Sequence, residues 1–530
     1  MSWLKRFLRF GFERAEALLD RAFGPSWNPL HNLGALGFFY YWIVAVSGVY
    51  LYIFFDTGTT EAYDSIEYMT HDQWYLAGVM RSFHRYASDG VVLFMAVHML
   101  REFSLDRYRG VHWFTWVTGI PVLGFVFIAG ITGYWLVWDK LAQYVAIAST
   151  EWFDWLPIFG ELISRNFMTP ESLDDRFFTL LVFMHIVVPL FLLLVLWIHL
   201  QRVSRPKINP PRGLAIGTFL MLLALSLVKP ATSHGPADLT TVAAVVRLDW
   251  FYLGLYPLLD YWSNGAVWGV MTVLTVLLAA LPWMPPMRRA APAVVDLAHC
   301  NGCTWCAEDC PYTAISMERR SDGLPFDSEA VVDPDLCVIC GICVGSCPSA
   351  TPFRRTGLLS TGIDMPDRPL DALRKSIDEA GRMPAEGNRV IVFGCASGPD
   401  IAHLGLAGVS AIALPCVAQL PPSFIDYALS RGKADGVVLT GCREGACSYR
   451  FGLGWTIERI ERTRDPRLRG RVARERIACL WLGIGGTRQL AREIDAFASG
   501  LEPLQLGHKQ TGPPPAPTTA VSLEKAGGDD

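Results

Sequence analysis

The chain has 530 residues, 51% of them hydrophobic, with a mean hydropathy of +0.28 and a net charge of −4. That length exceeds one ordinary domain. The apolar excess lies almost entirely before residue 285, which excludes a uniformly soluble protein and divides the chain into a membrane half and a soluble half. The weak net charge gives nucleic acid nothing to bind, so no such partner is expected.

Residues 1–25 open with SWLKRFLRFGFERAEALLDRAF, whose charges interrupt it throughout, so a signal peptide is not expected. Phe7, Phe10, Arg14 and Leu18 fall at helical spacing beside Lys5, Arg6 and Arg9. This reads as an amphipathic helix on a lipid surface, with a plain soluble helix as the alternative. Six apolar segments follow at about 33–55, 78–102, 114–138, 177–201, 213–229 and 265–284, the fifth near the lower length limit. Basic residues cluster before the first (Lys5, Arg6, Arg9), after the second (Arg101, Arg107, Arg109), after the fourth (Arg202, Arg205, Lys207, Arg212) and after the sixth (Arg288, Arg289). The first and third connections are acidic: Asp56, Glu61, Asp64, Glu67 and Asp72, then Glu151, Asp154, Glu161, Asp174 and Asp175. The positive-inside rule then predicts a multi-pass protein of the cytoplasmic membrane with both termini in the cytoplasm.

The second segment carries His84 and His98, and the fourth carries His185 and His199, each pair fourteen residues apart. Fourteen helical residues rise roughly 21 Å, which sets two imidazoles on nearly one face, near opposite sides of a hydrocarbon layer about 30 Å thick. A lone histidine in an apolar helix is usually a packed core residue. Four at duplicated spacing point instead to function, because ionisable groups in membranes are costly. Two such helices could hold two haems, His84 with His185 toward the outside and His98 with His199 toward the cytoplasm. Gly34 and Gly48 in the first segment, and Gly119 and Gly133 in the third, repeat the fourteen-residue step. Glycine lets helix backbones approach a wedged macrocycle.

These paired histidines and glycines, with Arg81 three residues before His84, resemble the cytochrome b subunit of quinol:cytochrome c reductases and its plastid-type relatives over roughly residues 25–285. The resemblance implies a four-helix dihaem bundle over 26–210, extended by two further helices over 211–290, with quinone or quinol as substrate and a homodimer by analogy. It also implies that Arg81 pairs with a haem propionate, snorkelling at the membrane face being the alternative. Leu248-Asp249-Trp250-Phe251-Tyr252 stands where that family has Pro-Glu-Trp-Tyr beside its outer quinone pocket. Asp249 is therefore the candidate quinone-linked proton acceptor, against the alternative of an interfacial loop acid. Leu248 and Phe251 depart from the pattern. A third haem attached through cysteine is excluded, because no cysteine precedes Cys300.

All thirteen cysteines lie from Cys300 onward, a pattern of metal ligation rather than disulfides. Cys300, Cys303, Cys306 and Cys310-Pro311 recur in spacing as Cys337, Cys340, Cys343 and Cys347-Pro348. This is the bacterial two-cluster ferredoxin signature, in which the fourth cysteine of each run ligates the other cluster. Over 293–353 it predicts two 4Fe–4S clusters, one on Cys300, Cys303, Cys306 and Cys347, the other on Cys337, Cys340, Cys343 and Cys310. A polar linker is expected over 354–388. A module over 389–500 follows, with strand candidates at 389–394, 411–414 and 436–439 alternating with helical stretches at 423–430 and 455–462, and a disordered tail over 501–530. Cys395, Cys416, Cys442 and Cys447, in GCASG, LPCVAQ and TGCREGACSY, resemble the delta subunit of methyl-viologen-reducing hydrogenases. The resemblance implies a 2Fe–2S cluster on these four cysteines, with zinc or a degenerate docking module as alternatives. Cys479 stands alone and reads as a buried thiol.

The predicted fold class is multi-domain: an all-α membrane cytochrome b bundle, an α+β bacterial-type ferredoxin and a small α/β C-terminal domain with a parallel sheet. No Gly-rich dinucleotide fingerprint appears. Read in chain order, the carriers run outer haem, inner haem, two 4Fe–4S clusters, then a 2Fe–2S docking domain. The expected function is an oxidoreductase subunit joining the quinone pool to a soluble flavoprotein, hydrogenase, formate dehydrogenase or heterodisulfide reductase-like enzyme that docks on the C-terminal domain. A pure electron-transfer and anchoring subunit, or a bifurcating quinol oxidase, are the alternatives.

Overall fold

The computed structural model describes residues 2–158, 168, 173–201, 208–241, 245–285, 291–353, 359–384, 387–444 and 447–502. Glu161, Arg202, Arg205, Lys207, Arg288, Arg289 and nearly all of the expected tail lie outside the described residues. Helix α1 (Ser2–Phe23) exposes Trp3, Phe7, Phe10, Leu18 and Phe23, an apolar face suited to a lipid interface. Its polar side is tied inward, Lys5 to Asp106 at 2.5 Å and Glu16 to Arg101 at 2.8 Å.

Next come α2 (Leu33–Phe54), α3 (Glu61–His71), α4 (Val79–Ser104), α5 (Trp113–Val137), α6 (Lys140–Asp154), α7 (Asp175–Leu200), α8 (Arg212–Val228), the short α9 (Tyr256–Tyr261) and α10 (Asn264–Ala280). Helices α2, α5, α7 and the stretch Asn264–Trp283 are long and apolar enough to cross a membrane. Helix α4 has 26 residues, but Arg81, Arg85 and Asp89 dilute its apolar character, and α8 is short at 17. The long helices expose large apolar side chains such as Val46, Ile53, Leu190 and Trp197, because lipid rather than water is their solvent. Helix α2 packs along α4 and α5 along α7, and the two pairs close on a shared core that includes Leu36, Tyr40, Val91, Val126 and Leu192. Outside the bundle, Asp139 caps α6 through Ala142 N at 2.9 Å and accepts His234 N at 2.8 Å, fastening the α8–α9 connection.

The soluble half starts with strand β1 (Val294–Val295), helix α11 (Trp305–Glu308), the antiparallel pair β2 (Ile315–Arg319) and β3 (Ser328–Val332), and α12 (Ile342–Ser346). The expected linker is structured in part. Strand β4 (Ile363–Asp364) pairs antiparallel with β1, and α13 (Leu370–Ala380) buries Leu370, Leu373 and Ile377. Those three residues recur at helical spacing, so the segment has an apolar stripe despite its polar composition. Four parallel strands then form one sheet: β5 (Val390–Cys395), β6 (Val409–Leu414), β7 (Gly436–Thr440) and β8 (Ile477–Leu480), in the order β6-β5-β7-β8. Helices α14 (Pro422–Ser430), α15 (Gly452–Ile460) and α16 (Thr487–Gly500) complete this module.

The ferredoxin-like and C-terminal modules share one hydrophobic core, including Ile342, Val344, Ile377, Phe393, Val417 and Phe424. A buried polar knot pins them. The Arg459 guanidinium, 1% exposed, donates to Asp309 at 2.5 Å, Ser346 Oγ at 2.6 Å and Ala418 O at 3.1 Å, and Arg464 also pairs with Asp309. Gly345 is required here, since an added Cβ would stand 1.9 Å from Ala418 O. Arg459→Ala leaves a buried carboxylate short of its partner and should destabilise the soluble half by about 3–5 kcal/mol, read as a lowered urea midpoint of the full-length protein in detergent.

Candidate electron-transfer sites

The four histidines lie inside the bundle, two on α4 and two on α7. The rings of His84 and His185 have centroids 6.2 Å apart and an interplanar angle of 61°. A metal–imidazole bond of about 2 Å on each side sets ring centroids about 6 Å apart, so this pair fits an iron held between two Nε2 atoms. The orientation of each ring is fixed from behind. His84 Nδ1 lies 3.0 Å from Val44 O and 3.2 Å from Ser47 Oγ; His185 Nδ1 is 3.1 Å from Thr132 Oγ1, and His199 Nδ1 is 3.1 Å from Thr118 Oγ1. Backbone at Ala129 and Thr115 also bonds His185 and His199. Such partners hold the Nδ1–H tautomer and leave Nε2 as the ligand. His98 and His199 are near enough for each charge to act on the other.

The paired glycines touch the imidazoles. A Cβ on Gly48 would stand 2.9 Å from His84 Cε1, on Gly133 2.9 Å from His185, on Gly119 3.4 Å from His199 and on Gly34 3.9 Å from His98. Their missing side chains let each ring stand upright against the neighbouring helix. Ser47, Thr118 and Thr132 were not singled out from the sequence, although each immediately precedes one of these glycines; at the fourth position stands Leu33.

Arg81 is buried and does not snorkel. Its guanidinium donates to Thr70 Oγ1 and to Ser233 Oγ at 2.7 Å, with Glu67 at 3.6 Å. Asp249 is also enclosed, its side chain 4% exposed. Tyr134 OH donates to its Oδ2 at 2.5 Å, Arg85 reaches Oδ2 at 3.0 Å, and Phe251 N donates to Oδ1 at 2.8 Å. Arg85 also pairs with Asp89. Two carboxylates thus share one guanidinium beside His84. Arg85, Asp89 and Tyr134 escaped the sequence reading; an i,i+4 charge pair inside an apolar helix was the available signal. Trp250, by contrast, is exposed.

The eight ferredoxin cysteines gather into two cavities. Cys300, Cys303, Cys306 and Cys347 line one, and Cys310, Cys337, Cys340 and Cys343 line the other. Each set pools three neighbouring cysteines with one from the other run, and four thiols about one cavity fit a cubane cluster. Burial, then neighbouring sulfurs, pushes Cys306 up to about 12 and Cys343 well above the usual thiol range. The thiolate form there therefore depends on a bound metal. In the C-terminal module the free thiols of Cys395, Cys416, Cys442 and Cys447 lie close enough to act on one another, Cys395 beside Cys416 and Cys442, and Cys442 beside Cys447. Val417 N donates to Cys395 Sγ at 3.2 Å and Leu453 N to Cys447 Sγ at 3.5 Å, the backbone pattern that favours sulfur carrying negative charge. A Cβ on Gly452 would come within 2.5 Å of Cys416 Sγ and on Gly441 within 2.8 Å of Cys395 Sγ, so both glycines make room for this site. Cys479 stands apart on β8, half-buried, with Arg474 at 3.8 Å.

Residues 19–205 match the cytochrome b/b6/petB family. This span holds all four histidines and all four paired glycines. Residues 299–351 match the 4Fe-4S dicluster domain, and 405–505 match the methyl-viologen-reducing hydrogenase delta subunit. The chain therefore carries a cytochrome b domain, which implies haem b, and a dicluster domain, which implies iron–sulfur clusters. With its apolar helices it is an integral membrane electron-transfer protein. The cytochrome b match stops before α8, so Asp249 stands outside it; Cys395 precedes the delta-subunit match. Among curated relatives, cytochrome b6 of Gracilaria tenuistipitata var. liui is 25% identical over 201 residues, spanning 37% of this chain and 92% of that protein. Cytochrome b6 of Porphyra purpurea is 26% identical over 202 residues, with the same shares. A solved structure titled hyperthermophilic respiratory Complex III aligns at 18% identity and a TM-score of 0.40, over 48% of this chain and 75% of that one.

Because Gly133 abuts His185, Gly133→Val should drive that ring from its position and abolish haem binding at the His84/His185 pair. Haem content by pyridine haemochrome should fall while the iron–sulfur EPR signals persist; unchanged haem content would count against this ligand pair.

Proposed function

We propose that the chain is the quinone-linked subunit of a membrane oxidoreductase, exchanging electrons between a soluble low-potential redox protein and the quinone pool. The observation that carries this reading is the His84/His185 pair at 6.2 Å inside an apolar bundle, with a second histidine pair one fourteen-residue step along the same two helices. Bound there and on the cysteine sites, two b haems, two 4Fe–4S clusters and one 2Fe–2S cluster supply one-electron transfer. His84 and His185 hold the outer haem, His98 and His199 the cytoplasmic one, and the basic residues Arg101, Arg107 and Arg109 favour the cytoplasmic assignment of the latter end.

Quinone chemistry also moves protons, and the chain offers a group for them. Asp89 and Asp249 are within hydrogen-bond reach of each other and share the single positive charge of Arg85. Asp249 accepts a proton from quinol, or gives one to reduced quinone, while Tyr134 and the Phe251 amide keep its carboxylate oriented.

Three measurements check this. Full-length protein reduced with dithionite and freed of excess reductant should reoxidise its haems when a short-chain ubiquinone or menaquinone analogue is added; haems that stay reduced would sink the quinone assignment. His98→Ala should remove one b haem and retain the iron–sulfur signals, whereas loss of both haems would refute the proposed pairing. Asp249→Asn should slow quinone-driven reoxidation by about 10²-fold with the haem spectrum intact.

A further inference from the structure

The C-terminal module comes last in sequence, yet residues beside its four cysteines touch the ferredoxin module on one side and the α1 segment on the other.

The ferredoxin side is close-packed. Helix α12, which contains Cys343, packs on the turn Val417–Gln419 that follows Cys416. A single point, the Cβ position absent from Gly452, lies 2.5 Å from Cys416 Sγ and 3.2 Å from Ile342 Cδ1, and Ile342 sits between Cys340 and Cys343. Arg450, three residues after Cys447, donates to Pro311 O at 2.7 Å, immediately after Cys310. Each of these contacts involves the Cys310/Cys337/Cys340/Cys343 site.

The membrane side is bridged through α1 and the α4–α5 connection. Arg443, the neighbour of Cys442, reaches Pro25 O at 3.3 Å and Asp20 at 3.6 Å. Gly485 lies against Glu16, and Glu16 pairs with Arg101 at 2.8 Å, one helical turn beyond His98. Arg107 and His112 act electrostatically on Cys442 and on Glu102, and Glu102 acts in turn on His98. The Cys300/Cys303/Cys306/Cys347 site takes part in none of these membrane-side bridges; it is tied to the C-terminal module through Ser346, beside Cys347, on Arg459, and Cys300 and Cys303 are partly exposed.

We propose that the Cys395/Cys416/Cys442/Cys447 site is the membrane-proximal carrier, standing between the Cys310/Cys337/Cys340/Cys343 site and the His98/His199 pair, so that a soluble iron–sulfur donor enters at the Cys300/Cys303/Cys306/Cys347 site. Each step moves one electron, oxidising one centre and reducing the next, with no bond made and no proton transferred. The module expected to receive the soluble partner is instead its link to the membrane. This rests on the electron-transfer reading above but makes no use of quinone.

The test uses full-length protein and Cys442→Ser, mixed with a bacterial two-cluster ferredoxin that has been reduced and freed of dithionite. Freeze-quench EPR follows the iron–sulfur centres and visible absorbance follows the haems, with quinone absent. The expected result for Cys442→Ser is loss of the 2Fe–2S signal, 4Fe–4S reduction as in wild type, and haem reduction falling to the donor-free rate. Haem reduction at the wild-type rate would overturn the proposal, as would slowed reduction of the 4Fe–4S centres, which would make the C-terminal site the entry point. Should the variant lose all of its clusters, Asp20→Cys/Arg443→Cys decides the placement. A short bis-maleimide should then give a cross-linked peptide pair between α1 and the C-terminal module by mass spectrometry, and its absence, against single-cysteine controls, would overturn the placement. Because failure of the quinone assignment would appear only in the reoxidation assay, the two outcomes are separable.

Discussion

Four imidazoles held upright in an apolar bundle are the constraint on which the membrane half depends. Each ring needs a neighbouring backbone close enough to seat it, and Gly34, Gly48, Gly119 and Gly133 provide that closeness. For His84, His185 and His199 the same neighbouring helix also supplies an oxygen to Nδ1, fixing which nitrogen faces inward. The pairing of α2 with α4 and of α5 with α7 thus rests on these imidazole–glycine and imidazole–oxygen contacts as well as on general packing.

A second constraint acts in the soluble half. Asp309 precedes Cys310, Ser346 precedes Cys347, and Arg459 joins both to the backbone of Ala418, two residues after Cys416. One buried guanidinium therefore ties together residues next to all three cysteine groups. Burying an ion pair is a weak source of stability; here it fixes the spacing between the three cysteine groups. The structured stretch around β4 and α13, read from composition as a linker, adds to the same effect by bracing the two modules into one core.

Much of this was legible in the sequence because the ligands obey short, fixed intervals. The fourteen-residue step of histidines and glycines and the doubled cysteine runs can be read without coordinates. The oxygens behind the imidazoles were not read, since Ser47, Thr118 and Thr132 look like ordinary hydroxyl residues of membrane helices until a ring is seen against them. Asp249 was found by its place in a motif, but its partners Arg85, Asp89 and Tyr134 come from helices distant in sequence. The polar linker misled because a three-residue apolar stripe is small beside the Arg, Asp and Pro around it.

By itself the sequence determined the fold class and the regular intervals of the histidines, glycines and cysteines, because helical periodicity and metal chemistry impose local spacing. Only the tertiary structure decided the enclosure of Asp249 in a shared charge network, the burial of Arg81 and the contact of the C-terminal module with α1. These depend on contacts across more than a hundred residues, such as Arg443 with Asp20, and no local interval in the chain encodes them.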